Sequence, residues 1–178
     1  KNIEGLIRGW ALLPEALRSE HTLAIVCSIQ DFDRRRLLNL AQHHGLAEDE
    51  INFTGYVPEN DLIDLYNLCK IFVFPSLHEG FGLPALEAMR CGRAVIAANT
   101  SSLPEVVGRE DAMFDPYDDA AIAKKIEHLL TDDVFRKQLE RHALTQSLHF
   151  SWDETGNRAI QALENLYSVS TTEHSKSV

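Results

Sequence analysis

Between Lys70 and Ala98 the chain carries two short runs, KIFVFP and RAVIAA, that are apolar at nearly every position and are separated by a helical stretch closed by Gly92. A strand facing water on one side alternates apolar with polar residues, whereas runs like these need cover on both faces. Right-handed crossovers supply that cover by laying helices above and below a parallel sheet. Earlier segments continue the pattern. His21–Ser28 (HTLAIVCS) and Ile51–Val57 (INFTGYV) read as strands, and Asp33–Leu46 reads as a helix stopping near Gly45. Pro58-Glu59-Asn60-Asp61 supplies start signals for another helix, with Leu62, Leu65, Tyr66 and Cys69 on one face. At the front, Ile3, Leu6, Ile7, Trp10 and Leu13 recur at helical spacing up to Pro14. The pattern predicts an α/β fold, a doubly wound parallel sheet.

The final third reads differently. A short strand at Ala112–Asp115 precedes three helical patterns, Asp118–Leu130, Asp133–Leu148 and Trp152–Tyr167, expected to pack on the sheet edge. Phe150 and Trp152 are expected in the core, anchoring the last helix. Ser168–Val178 is polar and is expected to be a disordered tail. A length of 178 residues suits one domain, here 1–167, with enough apolar material for a core.

Seventeen basic against twenty-seven acidic residues give a formal charge of −10. A field of that sign repels nucleic acid and anionic lipid, so any anionic ligand must be held locally, by a helix N-terminus and a few placed cations. Cys27, Cys69 and Cys91 are an odd number at wide spacing, which suits neither a disulfide framework nor a Cys-based zinc site, and they are expected to be buried thiols. With no leader-type stretch and no run long enough to cross a bilayer, the expected location is cytoplasmic.

The segment that carries chemistry is Pro75–Gly92, PSLHEGFGLPALEAMRCG. It follows a strand directly, so it lies at the carboxyl edge of the sheet, where open α/β folds bind ligands. Gly80 and Gly82 flank Phe81 in a turn where backbone can approach a ligand closely, and Pro84 fits a first helical turn because its missing N–H costs nothing there. The amides of Gly82 and Leu83 would then face a phosphate with the positive end of the helix dipole behind them. Glu79 and Glu87 bracket that seat. A carboxylate suits hydroxyls rather than phosphate, since it only accepts and can take two hydrogen bonds from a vicinal diol. The elements together describe a ligand with a phosphate in the middle and a sugar on either side.

Glu79-x7-Glu87 with Gly80-Phe81-Gly82 inside it resembles the motif of the GT-B retaining glycosyltransferases of family 4. The likeness extends further along the chain. Lys1-Asn2 before the first helix is similar to the family's phosphate-lysine segment, Phe53-Thr54-Gly55-Tyr56-Val57 to its base-side loop, and Ser101-Ser102-Leu103-Pro104-Glu105 to its Gly-Gly-x-Pro-Glu loop. The resemblance implies a Rossmann-like domain, the C-terminal, donor-binding half of a GT-B fold. In it Glu79 contacts hydroxyls of the transferred sugar and is the catalytic assignment, while Gly80, Phe81, Gly82 and Leu83 contact sugar and diphosphate through their backbone. Glu87 holds the ribose, Lys1 the diphosphate, and the Tyr56–Val57 backbone the base. The implied reaction moves a hexosyl unit, mannose or glucose, from a GDP- or UDP-sugar to a glycan or lipid-linked acceptor, with retention and without metal or other cofactor. The family's preceding strand, the arginine on it and its N-terminal domain lie outside this sequence, so turnover is expected to need them, in the cytoplasm or at the inner membrane surface.

Other readings use the same residues differently. Glu79 and Glu87 can be surface acids near a helix start, and the glycines can serve a tight turn alone. His78 should point away from Glu79, and His43, His44, His142, His149 and His174 lack ligand spacing, so no metal site is expected. A nucleotide-sugar epimerase or a phosphorylase could share the fold, but no lysine for pyridoxal phosphate lies in or just after Glu79–Gly92. A non-catalytic nucleotide-sugar-binding module is the third class. A dinucleotide-dependent dehydrogenase is disfavoured because no Gly-x-Gly-x-x-Gly opens an early helix.

Overall fold

Among the described residues five strands form inside the five apolar runs, each shorter than its run: β1 Leu23–Ile25, β2 Ile51–Phe53, β3 Ile71–Phe74, β4 Ala94–Ala98 and β5 Met113–Phe114. The computed structural model describes residues 1–174, with side chains through Tyr167. It divides into a first unit, Lys1–Ser147, and a second that begins at Leu148, where one domain over 1–167 was expected.

All pairings are parallel, as the apolar runs require, but they make two sheets rather than one. β1 pairs with β2 in the register Leu23↔Ile51 to Ile25↔Phe53. In the second sheet β4 lies between β3 and β5, with Ile71↔Ala94 to Phe74↔Ala97 on one side and Ala97↔Met113 on the other. Central β4 is buried along its whole length, and its small residues Ala94, Ala97 and Ala98 let helices come close.

The helices of the first unit are α1 Ile3–Ala11, α2 Glu15–Glu20, α3 Asp31–His43, α4 Glu59–Leu68, α5 Leu83–Arg90, α6 Leu103–Val107, α7 Asp119–Thr131 and α8 Asp133–Ser147. The periodicity predicts neither α2 nor α6, which at six and five residues are too short to show it. α1 buries Leu6, Ile7 and Trp10, each worth roughly 1.5–3 kcal/mol. It crosses α7 so closely that a Cβ on Gly9 would stand 2.9 Å from Ile122 Cγ2. Arg8 donates to both Asp119 carboxylate oxygens at that crossing, at 2.6 and 3.1 Å. Asp118 caps α7 by accepting from the Ala120 and Ala121 amides.

α7 packs against α1, β3 and β5, and α8 against β4, α5 and α6. Both therefore cover sheet faces, not the edge the sequence pattern suggested, because the fully buried β4 needs cover on each side. The second unit holds α9, Trp152–His174, which runs past Tyr167; residues 175–178 of the expected tail lie outside the described residues. Trp152 is 80% exposed and so is not the core residue expected, since α9, the one element described in its unit, cannot bury its own side chains; Phe150 is half-buried. The three cysteines are free thiols and half-buried rather than fully buried. Among the described residues no helix is long and apolar enough to cross a membrane.

Candidate functional site

β3 ends at Phe74, and the chain then passes through buried Pro75 and Ser76 into the loop that leads to α5. Gly82 is the N-cap of α5 with φ 105°, a conformation L side chains rarely adopt, and a Cβ there would stand 2.7 Å from Leu103 Cδ2. Position 82 is thus glycine on two counts. Pro84 has no N–H, and the Ala85 and Leu86 amides turn back onto the Gly82 carbonyl at 3.0 and 3.3 Å. The Leu83 amide, at the first helical position, is left by geometry without an intrahelical acceptor.

The loop after β4 clamps this turn. Thr100 Oγ1 donates to the Ser76 carbonyl at 3.2 Å, and Ser101 Oγ accepts from the Glu79 amide at 3.0 Å. The Ser102 hydroxyl lies 2.7 Å from the Phe81 carbonyl and 3.1 Å from that of Glu79, sharing its one proton between them. Ser102, at φ −80°, has ordinary helical backbone, whereas Ser101 has φ 47°, in the region that favours glycine, which gives a backbone reason for the first glycine of the pair in the loop it resembles and not for the second. Here the serine accepts that backbone conformation and adds a hydrogen bond to the neighbouring loop.

Lys1 and Glu79, 78 residues apart in sequence, meet: Nζ donates to Oε1 at 2.5 Å. The Glu79 side chain is only 16% exposed against 61% for Lys1. Burial works against ionisation of Glu79, but hydrogen bonds from Lys1 and Ser76 and the Lys1 charge outweigh it and hold the carboxyl below its ordinary range. The ammonium also lies 5.2 Å from the centre of the Phe74 ring.

Glu87, one turn into α5, is exposed and accepts a 2.9 Å hydrogen bond on Oε2 from the hydroxyl of Tyr66. Tyr66 is buried, and burial, with the Glu87 bond adding to it, pushes its phenol well above the ordinary range. Its ring meets Phe72 edge-on at 5.5 Å, and Phe72 stacks on Phe74 at 5.9 Å. Tyr66 on α4 and Phe72 and Phe74 on β3 thus form an aromatic row from the partner of Glu87 to Lys1.

Lys1, Glu79, the Gly80–Leu83 turn and Glu87 therefore gather at the carboxyl end of β3. Tyr56 and Val57 are carried by the other sheet, beyond the end of β2, with Tyr56 79% exposed. His78 is exposed. Sequence reading missed Tyr66 as a polar partner, although a tyrosine on an apolar helix face must find one for its hydroxyl. It also missed a cavity of about 450 Å³ at the carboxyl ends of β4 and β5, lined by Asn99, Thr100, Met113, Asp115 and Tyr117 among others. Chemically the site offers an ammonium and a helix start to an anion, and two carboxylates to hydroxyls.

Comparison with known proteins bears on this arrangement. The profile of the family described as Glycosyl transferases group 1 matches residues 1–146. The serotype-specific mannosyltransferase WbdA of Escherichia coli is 49% identical over 170 residues, 96% of this chain but 21% of that protein. The chain thus spans about a fifth of the length of that relative. Among solved structures, sucrose-phosphate synthase from Thermosynechococcus elongatus superposes with a TM-score of 0.81 at 28% identity, over 95% of this chain and 43% of that one. Anabaena HepE in complex with UDP-glucose superposes with a TM-score of 0.78 at 22% identity, over 90% and 44%, a likeness of fold. The structural neighbours are GT-B glycosyltransferases, so the α/β fold of parallel strands and covering helices is the one the sequence predicts.

Proposed function

This chain belongs to the glycosyl transferases group 1 family, and from that premise we propose that it is the C-terminal, donor-binding domain of a retaining family 4 enzyme. The enzyme moves a hexosyl unit, of mannose type, from a nucleoside-diphosphate sugar to a glycan or lipid-linked acceptor held by an N-terminal domain. The observation that carries this is the meeting of Lys1 with Glu79 beside the start of α5: a cation, a helix N-terminus and a carboxylate share one small region. The mannosyltransferase relative supports the sugar, and the UDP-glucose in the Anabaena protein supports the donor class.

In the transfer, the bond between the anomeric carbon and the diphosphate breaks as one forms to an acceptor hydroxyl; the electron pair stays on the diphosphate, whose freed oxygen takes up the proton that the hydroxyl loses. Lys1 and the Leu83 amide stabilise that growing charge in place of a metal ion. Glu79 accepts from sugar hydroxyls and orients the ring; Glu87 accepts from the ribose; the Tyr56–Val57 backbone takes the base. Lys1 must exchange Glu79 for phosphate when donor enters, which frees the carboxylate for the sugar. The full-length enzyme works in the cytoplasm, at the inner membrane surface when its acceptor is lipid-linked.

Calorimetric titration with UDP, GDP and their glucose and mannose conjugates, without metal, tests the reading. One nucleotide should bind, lose affinity in Glu87→Ala, and gain from its sugar only while Glu79 is present. Binding that depends on neither carboxylate would instead favour a non-catalytic module.

A further inference from the structure

We propose that Tyr66 is a positioning residue for nucleoside recognition: its buried hydroxyl fixes the Glu87 carboxylate to meet the vicinal hydroxyls of a ribose, making the site selective for ribonucleotides. The inference rests on the donor-binding reading above and adds a residue to it.

Glu87 lies on the exposed face of α5, where a glutamate is ordinarily free to sample many rotamers. Tyr66 removes that freedom from a different helix, α4, by holding Oε2 at 2.9 Å. The tyrosine has little freedom of its own, being 7% exposed and met edge-on by Phe72. The bond has one direction. Burial keeps the phenol protonated, so Tyr66 donates and Glu87 accepts. With Oε2 engaged from below, Oε1 is the oxygen set for an incoming hydroxyl, and the second lone pair of Oε2 can take its vicinal neighbour. A carboxylate oriented before the ligand arrives does not have to be ordered by it, and preorganisation of this kind is repaid in affinity. Selectivity follows, because a sugar lacking both hydroxyls leaves the fixed carboxylate without a partner.

Tyr66→Phe is the test, since it keeps the ring and its contact with Phe72 and deletes only the hydroxyl. The affinities of Tyr66→Phe, Glu87→Ala and the double variant would be measured for GDP, UDP and their 2′,3′-dideoxy counterparts. In Tyr66→Phe the preferred ribonucleotide should bind about tenfold more weakly, in line with a hydrogen bond to a charged group, and the dideoxy form unchanged. The double variant should lose no more than Glu87→Ala, because Tyr66 acts only through that carboxylate. Equal losses for ribo and dideoxy forms in Tyr66→Phe, or an unchanged ratio while Glu87→Ala collapses it, would overturn the inference and leave the donor site standing. A Glu87→Ala variant that discriminates as the wild type does would remove the donor-site reading and this inference together.

Discussion

Gly82→Ala should cost this domain a large share of its stability, for two reasons that add. The backbone at φ 105° lies where an L residue is disfavoured, at a cost of about 1–2 kcal/mol. The new methyl carbon would stand 2.7 Å from Leu103 Cδ2, and Leu103 is fully buried, so it can yield only by repacking its neighbours. Overpacking of that kind costs about 1–3 kcal/mol, so the sum is about 2–5 kcal/mol against a typical domain stability of about 5–15. Urea unfolding of wild type, Gly82→Ala and Gly80→Ala separates this from a general intolerance of the turn. Gly80 has an unexceptional φ, and nothing lies within 4 Å of the carbon it would gain. Its alanine variant should therefore stay within about 0.5 kcal/mol of wild type. Equal midpoints for the two variants would refute the claim that backbone conformation and the Leu103 wall dictate glycine at position 82.

Two further outcomes follow from the site. The Glu79 carboxyl is held below its ordinary value of 4.5 in the folded chain, so its ionised form contributes stability above that value and loses it as pH falls through the lower, folded one. Glu79→Gln should accordingly flatten the fall in thermal stability below about pH 4.5, and an unchanged acid limb would show that the Lys1 pair contributes nothing. Ser102→Ala removes the hydroxyl shared by the Phe81 and Glu79 carbonyls and should cost about 1 kcal/mol in urea unfolding, together with a several-fold loss of nucleotide affinity by calorimetry.

What the sequence makes legible here follows from how strongly burial is written into it. All five strands lie inside apolar runs because a strand covered on both faces has no room for polar residues. Their ends are less visible, since in His21–Ser28 only Leu23–Ile25 finds a ladder partner, and apolarity does not say where pairing stops. Nor does it distinguish one sheet from two. Trp152 misleads because a large aromatic is usually buried, and its exposure depends on what surrounds it rather than on its own chemistry. Glu79, Glu87 and the glycines are recognisable by local spacing. Lys1 is recognisable only through family likeness, because its partner is 78 residues away. Tyr66 is hidden by its company: set among leucines on one face of α4, it counts as apolar, and its hydroxyl meets Glu87 only once α4 and α5 are side by side.

The Thr100–Ser102 clamp grips its neighbour through main-chain atoms, namely the carbonyls of Ser76, Glu79 and Phe81 and the amide of Glu79. A loop restrained in this way keeps its path whatever side chains it displays. Leu77 and His78, which point outward, can therefore drift over evolutionary time without moving Glu79 or the helix start.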